Sequence, residues 1–194
     1  MALLLNELHP GWRTLRIHES SPEFRGVSRK LAQECANYVP TQYRPDAPLG
    51  AVIEGYRNEN LEKQTFEDGA FDLVVSLDVM EHINDPEACF REIWRTLKPG
   101  GAYIFTAPTY KEGVRTERAA RLLENGELEL YREPEYHGNP INPQGSIVTF
   151  RYGYDFPELI AGWAAFEVRV VRFSDRHHAI IGEFTETYVC ARIC

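Results

Sequence analysis

Long apolar runs are missing at the start of this chain. Ala2-Leu3-Leu4-Leu5 gives way at once to Asn6, Glu7 and His9, which is too short for a bilayer span or the core of a signal peptide. Cysteine is scarce and scattered. Cys35, Cys89, Cys190 and Cys194 form no C-x-x-C pair, so a zinc site or a thioredoxin-like motif has no support and the thiols read as reduced and mostly core. Positive charge is in deficit, with 21 Lys and Arg against 29 Asp and Glu for a net charge of -8. Gripping nucleic acid through its phosphates is mostly electrostatic, so that class of partner is not expected. Repeats and low-complexity linkers are absent too, and 194 residues with 43% hydrophobic content suffice for one core. The expectation is a single cytoplasmic domain, 1–194, that takes a small-molecule substrate and engages neither nucleic acid, membrane nor metal. Its oligomeric state is not legible.

What is present is organised around Phe71 to Pro108, FDLVVSLDVMEHINDPEACFREIWRTLKPGGAYIFTAP. Leu73, Val74 and Val75 lead into Ser76-Leu77-Asp78, the form of a buried parallel strand with polar groups at its carboxyl end. Asp85 as a cap and Pro86 at the first helical position then precede Phe90, Ile93, Trp94 and Leu97 at helical spacing. Lys98-Pro99-Gly100-Gly101 ends that helix, and Ala102 to Ala107 reads as a second strand. Strand, helix and strand make one βαβ unit.

This segment resembles the central part of the class I S-adenosylmethionine-dependent methyltransferases. The residues that carry the likeness are Asp78-Val79-Met80-Glu81-His82 and Leu97-Lys98-Pro99-Gly100-Gly101. The resemblance implies an α/β fold, a Rossmann-like doubly wound seven-stranded sheet with an antiparallel last strand. It also implies S-adenosylmethionine as the cofactor.

Leu15 and Ile17 alternate with polar neighbours in a first strand over Thr14 to Glu19, and Ser20-Ser21-Pro22-Glu23 is expected to cap a helix bearing Phe24, Val27, Leu31 and Cys35. The family carries an acidic, glycine-rich loop here, because cofactor lies against bare backbone. This chain has His18-Glu19-Ser20-Ser21-Pro22, with no glycine before Gly26. In the functional reading Glu19 bonds the cofactor's ammonium group, while Ser20 and Ser21 help hold its carboxylate. In the other reading the turn binds nothing.

Gln42, at the end of a second strand over Asn37 to Tyr43, stands where relatives usually place an acid for the ribose hydroxyls; otherwise it caps an exposed strand end. Asn60 and Leu61 correspond to the pair that holds adenine, or form a polar loop. Ser76 and Leu77 lie beside the same crevice, and Leu77 is placed to pack on the adenine face. His82 is either a general base or a residue that orders its turn.

Glu112 to Leu123 reads as a charged helix. In the family an insertion in this position, here around 109–150, often forms a lid over the substrate. Tyr136, His137 and Asn139 are the candidate substrate-binding residues, with His137 a second candidate base. The alternative is an ordinary Gly138-Asn139-Pro140 turn with Tyr136 packed beneath it. Asp155 to Glu158 reads as a capped helix start, and Phe166 to Arg172 and Glu186 to Ile193 as the last two strands. His177-His178 falls in their connection and reads as solvated.

Two functions remain open. One is methyl transfer to an oxygen or nitrogen of a small molecule. The other is an inactive methyltransferase-like binding or interaction domain, and a variant of it holds a different nucleotide.

Overall fold

Val74 and its neighbours Leu73 and Val75 are fully buried in two different cores, one on each face of the same strand. A run that is apolar at every position has to be covered on both sides. The structure, a computed structural model, describes all residues of 1–194 except Phe24, Glu124, Pro140 and Cys194. The expected place of Phe24 on the first helical face therefore lies outside the described residues.

The chain begins with α1 (Ala2–Leu8), β1 (Arg16–Ser20), α2 (Gly26–Glu34) and β2 (Asn37–Gln42). A small hairpin follows, β3 (Val52–Ile53) and β4 (Tyr56–Asn58), then β5 (Phe71–Leu77), α3 (Pro86–Thr96) and β6 (Leu97–Thr106). Short strands occupy the next stretch: β7 (Glu117–Arg118), β8 (Ala120–Leu122), β9 (Leu128–Leu130), β10 (Tyr136–Asn139), β11 (Asn142–Ile147) and β12 (Phe150–Arg151). The last elements are α4 (Phe156–Trp163), β13 (Phe166–Arg172) and β14 (Glu186–Arg192).

Eight strands form the main sheet in the order β13-β14-β6-β5-β1-β2-β4-β3. The run from β6 to β4 is parallel, and β14 inserts antiparallel between β6 and β13. Apart from the two-residue β3, which pairs antiparallel at the edge, this is the expected seven-stranded, doubly wound sheet with an antiparallel last strand. On one face α3 and α4 bury Phe90, Ile93, Phe156 and Ile160 with Tyr103, Phe105 and Tyr188. On the other, α1 and α2 bury Leu4, Leu5, Val27 and Leu31 with Ile17, Val75 and Ile104. Each such side chain contributes about 1.5–3 kcal/mol by leaving water.

Local signals set the central βαβ unit. Asp85 accepts from the Ala88 N–H at 3.0 Å, and Pro86 opens the helix. Past Thr96, Gly100 takes a φ of 77°, which glycine adopts without the cost of a β-carbon. At Gly101 a β-carbon would stand 2.8 Å from the Asp72 carbonyl oxygen, so β6 can run this close to β5 only with glycine.

Four local expectations are corrected. The stretch from Glu112 to Leu123 is not helical: β7 and β8 lie in it, because long-range bonds hold it extended. Thr116 donates through its N–H and Oγ1 to Asp155 Oδ1 at 2.7 Å, and the Ala119 N–H donates to the Thr149 carbonyl at 2.7 Å. Tertiary bonds override weak helix propensity here. Asp155 is thereby occupied and makes no side-chain bond to the α4 terminus that it precedes. Ser20 to Glu23 does not cap α2 either, for β1 continues through Ser20, Ser21 turns at a φ of 54°, and the helix starts at Gly26. Finally, Gly138 and Asn139 belong to β10, and Tyr136 is 54% exposed rather than packed beneath a turn; Pro140 lies outside the described residues.

Candidate functional site

The sheet reverses direction around β1, whose neighbours are β5 and β2, and ligands of open α/β sheets collect at the carboxyl ends flanking such a point. Ser20, Gln42 and Leu77 end strands at that edge, and Ser21 and Asp78 follow two of them directly. Alternation along β1 sends His18 and Glu19 to opposite faces. His18 is fully buried against Phe66 and Phe71, with Nε2 2.9 Å from Thr41 Oγ1, and burial pushes its pKa down to about 3. Glu19 is 1% exposed and turns toward α2, where it accepts from Ser28 Oγ at 2.6 Å and from the Tyr38 hydroxyl at 2.7 Å. Burial raises its pKa against the opposing pull of those two bonds.

The remaining cofactor candidates are placed as follows. Ser20 is buried, and the Ser21 N–H donates to the Thr41 carbonyl at 2.8 Å. Gln42 is buried and donates through Nε2 to the Pro22 carbonyl at 3.4 Å, tying β2 to the first loop. Asn60 Oδ1 accepts from the Glu62 N–H at 2.9 Å, and Leu61 is buried beside it. Ser76 is buried with Oγ 2.6 Å from the Tyr103 hydroxyl, on the α3 side, whereas Leu77 packs at the margin of the opposite core.

Sequence reasoning passed over Glu81 except as part of a motif, and over Glu135 altogether. Glu81 lies in a 3₁₀ turn, Met80–His82, just past β5, and is 0% exposed. The segment around 109–150 is built onto that turn. The Thr149 N–H donates to the Glu81 carbonyl at 2.7 Å, and the Tyr152 hydroxyl donates to the Met80 carbonyl at 2.9 Å. This brings β10 over the turn. His137 Nδ1 comes within 3.4 Å of Glu81 Oε1, and His82 Nε2 within 3.8 Å of the same atom. The two imidazoles meet edge to face at 5.1 Å. Among the described residues neither Glu81 oxygen has a directed hydrogen bond, so the His137 contact is one of charge.

Glu135 supports this group from outside. Its Oε1 lies 3.2 Å from His137 Nε2 and accepts from the Tyr110 hydroxyl at 3.1 Å, while Oε2 accepts from Arg151 Nη1 at 2.9 Å. Burial works against its charge, but His137, Tyr110 and Arg151 together hold its pKa below the usual carboxylate range. Glu81 and Glu135 raise the His137 pKa to about 9 against the opposing effect of burial. Asp78 has a φ of 51° and accepts from Thr106 Oγ1 at 2.9 Å; burial, then the charge of Glu81, raise its pKa.

The structure therefore brings together His82 and His137 from the candidate list, 55 residues apart in sequence. Asn139 is close in sequence but is spent on its hairpin, donating to Ser146 Oγ at 2.7 Å and accepting from the Ile141 N–H at 2.8 Å. His177 and His178 are exposed and bind back to Asp175. A surface cavity of about 740 Å³ lies between Glu62, Gln64 and Phe66 and the α3 residues Glu92 and Arg95, and none of the candidate site residues lines it.

Comparison with known proteins agrees with this architecture. Residues 21–105 match the family model described as a methyltransferase domain. A sarcosine/dimethylglycine N-methyltransferase of Halorhodospira halochloris is 32% identical over 90 residues, 46% of this chain and 32% of that protein. A ubiquinone biosynthesis O-methyltransferase of Methylobacterium sp. (strain 4-46) is 27% identical over 149 residues, 72% of this chain and 53% of that protein. The chain thus spans about a third of one relative and about half of the other. A crystal structure of an S-adenosylmethionine-dependent methyltransferase from Mesorhizobium loti superposes with a TM-score of 0.64 at 16% identity, covering 98% of this chain and 96% of that one.

The sheet order and these matches define a class I methyltransferase fold. In fold, and over residues 21–105, the chain is similar to the class I S-adenosylmethionine-dependent methyltransferases, a family whose cofactor is S-adenosylmethionine.

The first loop accords with that cofactor in its backbone. Ser21 sits in the left-handed region where glycine is usual, so the chain turns as a glycine loop can while carrying a serine. The donor set at the strand ends is polar and buried at Ser20 and Gln42. Glu19 is the exception, because both of its oxygens are already held by protein.

Proposed function

We propose that this protein moves a methyl group from S-adenosylmethionine to an oxygen or nitrogen of a small molecule. One observation carries the reading: the segment 109–150 is fastened by Thr149 and Tyr152 to the turn after β5, so that His137 joins His82 and Glu81 at the carboxyl edge of a methyltransferase sheet. In this reading 1–194 acts as one domain and 109–150 is its substrate lid, with Tyr136, His137 and Asn139 on the substrate side.

The cofactor supplies an electrophilic sulfonium methyl. Ser20, Ser21, Gln42, Asn60, Leu61, Ser76 and Leu77 form its binding edge. Glu19 fixes β1 to α2 through Ser28 and Tyr38, and so sets where Ser20 and Ser21 stand. Gln42 offers the ribose an uncharged carbonyl oxygen, a weaker acceptor than a carboxylate.

Holding acceptor and methyl in line supplies much of the rate in such a transfer, and a base is needed for a hydroxyl acceptor. His82 is suited to that role. Its Nδ1 lies 2.8 Å from the Ile147 carbonyl, which can only accept, so Nδ1 carries a proton and Nε2, 3.8 Å from Glu81 Oε1, is the nitrogen that can take one from an acceptor. Cytoplasmic location is part of the proposal; what is observed is that no described helix is long and apolar enough to cross a membrane.

A second reading, an inactive binding domain, is favoured by one observation, the protein-held Glu19. The test is incubation with methyl-labelled cofactor and a panel of small hydroxyl and amine acceptors. Incorporation that falls in His82→Ala and His137→Ala supports transfer. Cofactor binding without incorporation into any acceptor supports the second reading.

A further inference from the structure

Glu81 is fully buried with neither carboxylate oxygen hydrogen-bonded among the described residues, whereas the other buried carboxylates among them are bonded on at least one oxygen: Glu19 by Ser28 and Tyr38, Glu59 by Arg57 and Thr65, and Glu186 by Arg172. A buried carboxylate left without a partner is costly, and the cost is met by a proton or by a cation.

The two histidines are arranged for a cation. His82 Nδ1 faces the Ile147 carbonyl at 2.8 Å, and His137 Nε2 faces the Glu135 carboxylate at 3.2 Å. Both partners are acceptors, so each of those ring nitrogens carries a proton, and the other nitrogen of each ring faces Glu81 Oε1. Two ring nitrogens and a carboxylate oxygen converging on one point require something positive between them, a proton on His137 Nδ1 in the metal-free protein or a cation that displaces it. A second ring nitrogen tied to a carboxylate or a carbonyl is also the usual outer support of a metal-bound histidine.

We infer that Glu81, His82 and His137 form a binding site for one borderline first-row divalent cation such as Zn²⁺. Three donors, two imidazole nitrogens and one carboxylate oxygen, match the ligand set of catalytic zinc sites that keep a position open. The spacing agrees. A tetrahedral cation about 2.1 Å from each donor separates the donors by about 3.4 Å. Here the two separations from Glu81 Oε1 are 3.4 and 3.8 Å, and all three donor atoms lie within 4.8 Å of one another. The open position would take an oxygen of the methyl acceptor and acidify it, with the cation replacing His82 as the agent that weakens the O–H bond. That role rests on the methyl-transfer reading; the cation site does not.

The experiment is titration of chelator-treated protein with Zn²⁺ by calorimetry, and with Co²⁺ by visible absorption, for the wild type, Glu81→Gln, His137→Ala and Glu135→Gln. The expected result is one cation per chain, a tetrahedral Co²⁺ spectrum, and a rise in Tm with Zn²⁺. Both signals should vanish in Glu81→Gln and His137→Ala, and affinity should fall about tenfold in Glu135→Gln, which loses only outer support. Circular dichroism and cofactor titration on the same samples separate loss of the cation from loss of fold and from failure of the methyltransferase reading. A folded wild type that takes up no Zn²⁺, or that binds it equally after Glu81→Gln and His137→Ala, overturns the site.

Discussion

The N–H of Thr149 donates to the carbonyl of Glu81 at 2.7 Å, joining residues 68 positions apart in the chain. Thr149 Oγ1 reinforces the junction, lying 2.9 Å from the same carbonyl and 2.6 Å from that of Ile83, between which its single proton is shared. This junction fixes the height of β10, and hence of His137, above the sheet edge. Thr149→Val keeps the volume and the backbone bond to the Glu81 carbonyl but takes the hydroxyl donor from the Ile83 carbonyl, a loss of roughly 1–3 kcal/mol. The expected outcome is a lower urea midpoint, a raised KM for the acceptor and an unchanged cofactor affinity. An unchanged acceptor KM would detach the 109–150 segment from substrate binding.

Ser21 holds a left-handed backbone that costs a non-glycine residue of order 1 kcal/mol. Ser21→Gly is expected to raise stability by about that amount, and Ser21→Val, β-branched at the same φ, to lower it by more. Chemical denaturation checks both. The glycine variant should also bind S-adenosylmethionine at least as tightly as the wild type, since it restores the bare backbone that relatives present.

Tyr38→Phe tests the place of Glu19. It removes the hydroxyl from a buried carboxylate that then keeps only Ser28, with an expected loss of about 1–3 kcal/mol. If Glu19 acts by fixing β1 to α2, Tyr38→Phe and Ser28→Ala weaken cofactor binding in parallel with stability. Tighter binding in either variant would show that releasing Glu19 equips it to meet the cofactor directly.

His18 gives the pH dependence. Its folded pKa of about 3 lies below the ordinary value of about 6.5, so the unfolded chain binds a proton that the buried ring refuses. Its contribution to stability is whole above about pH 6.5 and is lost progressively as pH falls toward 3. His18→Asn should be less stable than the wild type at pH 7 yet lose less on moving to pH 4, as read from urea midpoints. Equal losses would place the acid sensitivity elsewhere.

Much of the architecture was legible because it rests on local rules. The apolar run Leu73-Val74-Val75, the Asp85-Pro86 helix start and the alternation of β13 follow from burial on two faces, capping and period two, and each stands where expected. The stretch from Glu112 to Leu123 was misread because its conformation is decided by bonds to Thr149 and Asp155, far along the chain. The site was legible only in part for the same reason. His82 and His137 could be singled out as residue types in suggestive turns, but the carboxylate between them could not, since the orphaned state of Glu81 is a property of the packed molecule. A glutamate next to a histidine at the end of a buried strand was the one available hint.

The methyl-transfer reading requires this sheet edge to hold S-adenosylmethionine despite its glycine-free loop. Calorimetric titration of ligand-stripped protein with S-adenosylmethionine and S-adenosylhomocysteine, repeated on Gln42→Ala and Asn60→Ala, tests it most directly. The expected result is a Kd on the order of micromolar for the wild type, weakened about tenfold, or about 1.4 kcal/mol, by each substitution. Absence of heat at millimolar ligand from wild-type protein shown to be folded would contradict it, as would binding that neither substitution alters.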